Sequence, residues 1–300
     1  MSTTLAPGAT PTLTAGPVGG ARRPSGRRPP LLASAVLLLG ALYCLLPVLW
    51  VVTAATKDNT ELFSTFTFWP SGSLLDNIRE LSAYRDGLFW RWMLNTAVFA
   101  GVGAVASTLV SGMCGYAMAK YRFRGRNVMF NVLLAGVLVP GVVLAVPQYL
   151  LLAELSMTDT YWSVLLPSII SPYGIYLARI FAAASVPDDV MEAARTDGAG
   201  EWRIFTRIAL PVMVPGLVTV FLFQFVAIWN NFMLPFIMLS DDTRFPVTVG
   251  LYSLLNQGAS QPALYTLVIT GALLAVLPLI LLFLLLQRYW RVDMLAGAVK

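Results

Sequence analysis

Six stretches of this chain carry no Asp, Glu, Lys or Arg: residues 29–56, 92–119, 127–153, 160–178, 208–240 and 245–287. Crossing roughly 30 Å of hydrocarbon as a helix takes about 20 consecutive apolar residues, and nearly all of these stretches are long enough. A backbone in lipid must satisfy its own N–H and C=O groups, which leaves helices or closed barrels. Barrel strands alternate in polarity, and no such alternation runs through these stretches. The chain therefore reads as an all-α integral membrane protein with six transmembrane helices, near 31–53, 95–119, 129–152, 161–181, 212–234 and 264–287. Its 12% of charged residues compares with about 25% in soluble domains.

Basic residues set the orientation, because Lys and Arg are retained on the cytoplasmic side. Alternate loops collect Arg22, Arg23, Arg27, Arg28, Lys120, Arg122, Arg124, Arg126, Arg179, Arg195, Arg203, Arg207, Arg288, Arg291 and Lys300. The remaining loops hold only Lys57, Arg79, Arg85, Arg91 and Arg244. Both termini and the loop near Glu192 are thus expected in the cytoplasm. The net charge of +5 reflects this topology and not a nucleic-acid surface. The apolar stretch from Leu31 exceeds the h-region of a signal peptide and reads as a retained anchor. Residues 1–30, rich in Pro, Gly, Thr and Ala, read as a disordered cytoplasmic tail before a permease domain over 31–300. Cys44 and Cys114 fall inside expected spans and read as free buried thiols.

Several functions are set aside by what is missing. The chain has no His, and its only ionisable side chain inside a span is Arg179, near a cytoplasmic end. Proton-driven carriers commonly place acids, His or Lys at membrane depth. Sodium coupling through carbonyls and hydroxyls stays open. No lysine follows a glycine, so there is no phosphate-binding loop and any ATP must be hydrolysed elsewhere. Ser168 and Ser171 have no His base and read as packing hydroxyls. No metal or cofactor site is expected.

One polar, glycine-punctuated island at about 185–211 interrupts the apolar pattern. Pro187-Asp188-Asp189 reads as a helix start and Gly198 as its stop. Val190 and Met191 are expected to fill a partner's cleft beside Glu192, Ala193 and Ala194. A second helix follows, with Trp202, Phe205, Ile208 and Ala209 near one face.

The order Glu192-Ala193-Ala194, Gly198, Ile208, Leu210-Pro211 resembles the cytoplasmic loop of membrane permease subunits of bacterial ABC importers. The carbohydrate branch, of maltose-permease type, is resembled further by Trp92 to Thr96, Gly115 to Lys120, Arg122 to Gly125, Val146 to Tyr149, and Trp229 to Phe232 with Pro235. The resemblance implies a multi-pass subunit of the bacterial cytoplasmic membrane in the ABC importer permease fold. It implies pairing with a second homologous permease, an ABC ATPase dimer and an extracytoplasmic sugar-binding protein. Glu192, Ala193, Ala194, Gly198, Ile208, Leu210 and Pro211 would couple to the ATPase. Members commonly carry an acid where this chain has Asn231.

Amides and an aromatic suit sugar hydroxyls and apolar sugar faces, which makes Gln224, Trp229, Asn230 and Asn231 candidates for the substrate path. Gln224 serves equally well as interhelical glue. No mid-membrane Lys or Arg is present to meet a phosphate, which favours a neutral sugar. A permease for a polyol or a glycerophosphodiester, and a sodium-coupled secondary carrier, remain alternatives. The outer loop from Ala54 to Leu94, with Trp69-Pro70 and Asn77, and the Asp241-Asp242 loop are the expected contacts for the external binding protein, with anchoring at the membrane interface as the alternative.

Overall fold

The computed structural model describes residues 31–256 and 264–297, with side chains up to residue 289. The expected tail over 1–30 lies outside the described residues. Two units are distinguished, Met1–Pro47 and Val48–Lys300. The first contributes the opening of α1 (Leu31–Ala55), every described side chain of which, up to Pro47, is exposed. Cys44 is among them, so this thiol is not buried as expected. In an apolar solvent a helix has no reason to hide a small apolar group.

The second unit continues with α2 (Asn59–Ser64), α3 (Leu74–Ala83), α4 (Leu88–Lys120), α5 (Arg126–Leu138), α6 (Gly141–Glu154), α7 (Tyr161–Ile169), α8 (Pro172–Ser185) and α9 (Asp188–Thr196). There follow α10 (Glu201–Ile204), a π-turn (Phe205–Ala209), α11 (Leu210–Trp229), α12 (Met233–Met238), a 3₁₀ turn (Asp242–Arg244), α13 (Val247–Leu255) and α14 (Tyr265–Gly297). No strand occurs among the described residues. Five helical stretches are long and apolar enough to cross a membrane, or six when α5 and α6 count as one broken span.

Proline and asparagine chemistry corrects two expected spans, the third and the fifth, and puts a local break in the fourth, which still passes as one stretch, Tyr161–Ser185. The third is not straight: α5 and α6 meet at 104°, because Pro140 pushes Val139 into an extended conformation (ψ 121°) and cannot continue the helix. The fourth breaks between α7 and α8 for the same reason at Ser171-Pro172, where Pro is accepted as the first helical residue. The fifth ends at Trp229, five residues early. In a continuous helix the Pro235 ring would strike the Asn231 carbonyl. Instead that carbonyl accepts from Thr248 Oγ1 at 2.9 Å, and Asn230 Nδ2 turns back to the Val226 carbonyl at 2.9 Å.

Helix α4 packs against α3, α7, α8, α11 and α13. At about 1.5 Å per residue its 33 residues run about 50 Å. Small residues bring its neighbours close, as expected where lipid offers no hydrophobic drive between helices. A Cβ on Gly115 would lie 2.6 Å from the Arg179 amide nitrogen and 2.7 Å from Ala178 Cβ. One on Gly250 would lie 2.2 Å from the buried Trp92 ring. Arg179, the one charge expected inside a span, sits 3.7 Å above the Phe130 ring and so fastens α8 to α5.

Because backbone and not a flexible side chain faces Gly115, Gly115→Val should lower stability by about 1–3 kcal/mol. Gly101→Ala, where an added Cβ meets nothing within 4 Å, should be neutral. Thermal unfolding in detergent, followed by size-exclusion of the soluble fraction, separates the two.

Candidate functional site

The polar island folds as expected between Pro187 and Gly198, and its chemistry explains why. Asp188 and Asp189 occupy the first turn of α9, where acids complement the helix dipole. At the other end Ala199 N–H donates to the Ala194 carbonyl and Gly198 N–H to the Arg195 carbonyl, both at 3.0 Å. This is a Schellman termination, and it holds Gly198 at φ +81°, a conformation that disfavours side chains.

Glu192, Ala193 and Gly198 are exposed, Ala194 is half-buried, and the exposed Val190 flanks them. Met191 does not join this surface. It is 2% exposed, packed in the cluster that contains Tyr116, Ile204, Phe205 and Met213, and its sulfur receives the Tyr116 hydroxyl at 3.9 Å. The expectation that Met191 fills a partner's cleft is corrected: three residues before Ala194, which packs against the same cluster, it lies on the inward stripe of α9.

Polar contacts fix the rest of the loop. Lys120 Nζ reaches Asp188 at 2.8 Å, and this hydrogen bond holds the Asp188 carboxyl below the usual carboxylate range. Glu201 accepts from Arg195 Nε at 2.7 Å and from the Tyr121 hydroxyl at 2.6 Å. The Lys120–Asp188 and Tyr121–Glu201 contacts are not visible as motifs, since their partners lie 68 and 80 positions apart in sequence.

The second helix of the island runs without interruption into α11 through the π-turn. Pro211 supplies no N–H and would crowd the Arg207 carbonyl in a regular helix; the extra residue per turn relieves that crowding, with Leu210 N–H donating to the Phe205 carbonyl. Ile208 and Leu210 are half-buried, and Pro211 is exposed.

A cleft of about 420 Å³ opens where the broken helices meet. Gln148 of α6, Ser168 of α7, Ser171 before α8, Gln224 of α11 and Asn231 line it, together with apolar groups such as Leu144 and Ile228. No ionisable side chain is among its lining residues. Gln224 and Asn231 meet here even though the helical spacing between them ends at Trp229. The other two path candidates do not line the cleft. Trp229 is 3% exposed and donates its indole N–H to the Ala275 carbonyl at 3.2 Å, while Asn230 bonds its own helix. Sequence reasoning set Ser168 and Ser171 aside and did not name Gln148 as a path candidate; all three line the cleft. The Ser-Pro pair at 171–172 was the available signal, because it is a helix start inside an apolar run.

Of the expected outer contacts, Trp69 is 72% exposed. Asn77 is withdrawn: 5% exposed, it bonds the Ala55 and Lys57 carbonyls at 2.9 and 2.8 Å. Asp242 pairs with Arg85, and Asp241 caps Thr243.

Residues 111–291, which include the island, match the model of the binding-protein-dependent transport system inner membrane component family. The chain belongs to this family. It is a multi-pass inner-membrane permease subunit of an ABC importer, not an enzyme in its own right. It is 34% identical over 87% of its length, and 92% of the relative, to the arabinooligosaccharides transport system permease protein of Halalkalibacterium halodurans. It is 32% identical over 85% of its length, and 92% of the relative, to the sn-glycerol-3-phosphate transport system permease protein of Pectobacterium atrosepticum. In fold it resembles a bacterial ABC transporter involved in import of the acidic polysaccharide alginate, with a TM-score of 0.75 at 21% identity over 86% of this chain and 95% of that one.

Truncating Met191 removes a buried apolar anchor, so Met191→Ala should loosen the island by about 2–5 kcal/mol. Hydrogen exchange should quicken across 186–200, with protection in the spans unchanged. Glu192→Ala, on the exposed face, should leave protection as it is.

Proposed function

We propose that this permease subunit forms, with a second homologous permease, the translocation path for a neutral sugar or oligosaccharide. In this reading both termini and α9 lie in the cytoplasm, and α9 docks into an ABC ATPase dimer that supplies ATP hydrolysis. An extracytoplasmic binding protein delivers the sugar. The observation that carries the sugar assignment is the cleft itself: hydroxyl and amide groups beside apolar side chains, with no ionisable group among its lining residues. A sugar presents the same mixture, hydroxyls around apolar ring faces. The arabinooligosaccharide relative supports the same class. Asn231 is neutral where members commonly carry an acid, so no fixed charge in this cleft opposes or attracts solute.

The docking assignment rests on the surface of α9. Glu192, Ala193, Gly198 and the half-buried Ala194 are presented on a helix whose back is anchored in the core. Ile208, Leu210 and Pro211 would act by joining that surface to α11. ATP-driven closure of the ATPases would then move the α11 span together with the docked helix.

A second reading, import of a phosphorylated polyol, is favoured by the glycerol-3-phosphate relative and by the opening turns of α6 and α8, which both line the cleft. Helix N-termini attract anions. Uptake of labelled arabinotriose, lactose, maltose and glycerol-3-phosphate by the reconstituted complex with its binding protein separates the two. Competition-resistant uptake of glycerol-3-phosphate alone would overturn the sugar reading.

For coupling, Ala194→Trp should block docking sterically. Gly198→Val should strain the left-handed residue by about 1–2 kcal/mol. Both variants should insert normally, copurify poorly with the ATPase and lose most uptake. Wild-type copurification and uptake in both would refute the docking assignment.

A further inference from the structure

We propose that Ser171 is a specificity-determining hydrogen-bond donor, which forms with Gln224 a subsite for one hydroxyl of the transported solute at the head of α8. The inference rests on reading the cleft as the translocation path. Ser171 is the N-cap of α8, and its Oγ accepts from the Gly174 N–H at 3.0 Å and from Gln224 Nε2. A serine hydroxyl has two lone pairs and one proton. With both lone pairs engaged, the proton can only be given away, and Ser171 lines the cleft. Gln224, 8% exposed, also lines the cleft, and its Oε1 receives no hydrogen bond from the described residues.

A donor and an acceptor thus stand side by side. A sugar hydroxyl, which both donates and accepts, satisfies them together. Carboxylate and phosphate oxygens only accept, and would leave Gln224 Oε1 facing negative charge.

Gly174 makes this arrangement possible. A Cβ there would lie 2.6 Å from Ser111 Oγ and 3.1 Å from Gln224 Nε2. Ser111 is fully buried, and its hydroxyl has no partner among the described residues. Ser111 Oγ and Gln224 Nε2 thus border the same space, which a side chain at position 174 would fill. Gly174 and Gln224 are positioning residues for the Ser171 proton, and Gln224 is also a contact.

The test uses the complete reconstituted complex and whichever of arabinotriose, lactose and maltose the wild type carries, together with monodeoxy analogues of that sugar. Ser171→Ala removes the donor and the cap. Ser171→Gly removes the donor but retains most of the capping stability, and Ser171→Thr keeps the hydroxyl. Losing one neutral hydrogen bond should raise the half-saturating sugar concentration by about 3- to 10-fold in the Ala and Gly variants. Assembly with the ATPase should persist, and the Thr variant should stay within about twofold of wild type. One monodeoxy analogue should be carried poorly by wild type and be indifferent to Ser171→Ala.

Unchanged half-saturation in assembled Ala and Gly variants overturns the proposal. So does loss of assembly in both with rescue by Thr, which makes Ser171 a cap alone. Failure of the wild type to carry any of these sugars defeats the sugar reading first, and the subsite with it.

Discussion

The Gly174 N–H ends on Ser171 Oγ, and this hydrogen bond lets α8 begin inside an apolar segment. Lipid offers no water to groups freed at a helix break, so a break survives only where protein or a polar cleft receives them. Three breaks occur here, at Val139–Pro140, Ile170–Ser171 and Asn230–Phe232, and each contributes to the same cleft: Gly141 and Val142, Ile170 to Pro172, and Asn231 with Met233. The freed groups find partners close by. Asn231 Oδ1 receives the Leu234 N–H, and its carbonyl receives Thr248. The polar character of the cleft and the irregularity of the backbone are therefore one constraint seen from two sides.

A second constraint links this cleft to the island. Helix α4 meets α8 through Gly115, and α11 approaches α4 through Leu217 against Gly112, where an added Cβ would lie 3.2 Å from the leucine. Gly216 turns α11 toward Phe181 of α8 in the same way. One apolar cluster runs from Met191 and Ile204 through Tyr116 and Ala178 to Leu217. Close-packed contacts of this kind shift as blocks and do not stretch. The same packing joins α9 to α8 and α11, the two helices next to Ser171 and Gln224, and is the route by which the proposed coupling would act.

Much of this was legible in the sequence, and the reasons are specific. Uncharged runs gave the spans because charge is excluded from hydrocarbon. Pro187 and Gly198 gave α9 because each constrains its own backbone. The 104° bend at Pro140 was not legible, since its size depends on what α5 and α6 pack against. The inward turn of Met191 was hidden because a nine-residue helix has too short a stripe to tell a core face from a docking face. The burial of Trp229 was not legible, because an indole suits a sugar and a buried carbonyl equally; here it donates to the Ala275 carbonyl. The pairing of Ser171 with Gln224 joins residues 53 positions apart and leaves no local signal.

Magnitudes decide which contacts make α9 a stiff element. Its ion pairs are mostly open to solvent: the Arg195 and Glu201 side chains are 38% and 49% exposed, and Asp188 is 75% exposed. Pairs open to solvent contribute little and weaken with salt. Burying a methionine side chain contributes about 1.5–3 kcal/mol and does not depend on ionic strength. The apolar anchor therefore holds the helix to the membrane core, and the polar contacts set its angle. The π-turn serves the same end. By absorbing Pro211 without a kink at the membrane entrance, it keeps residues from Glu201 to Trp229 in one continuous stretch. That stretch joins the island to Gln224 and contains Pro215, an interior proline at which it can bend, and it ends at Trp229, between Ile228 and Asn231 of the cleft.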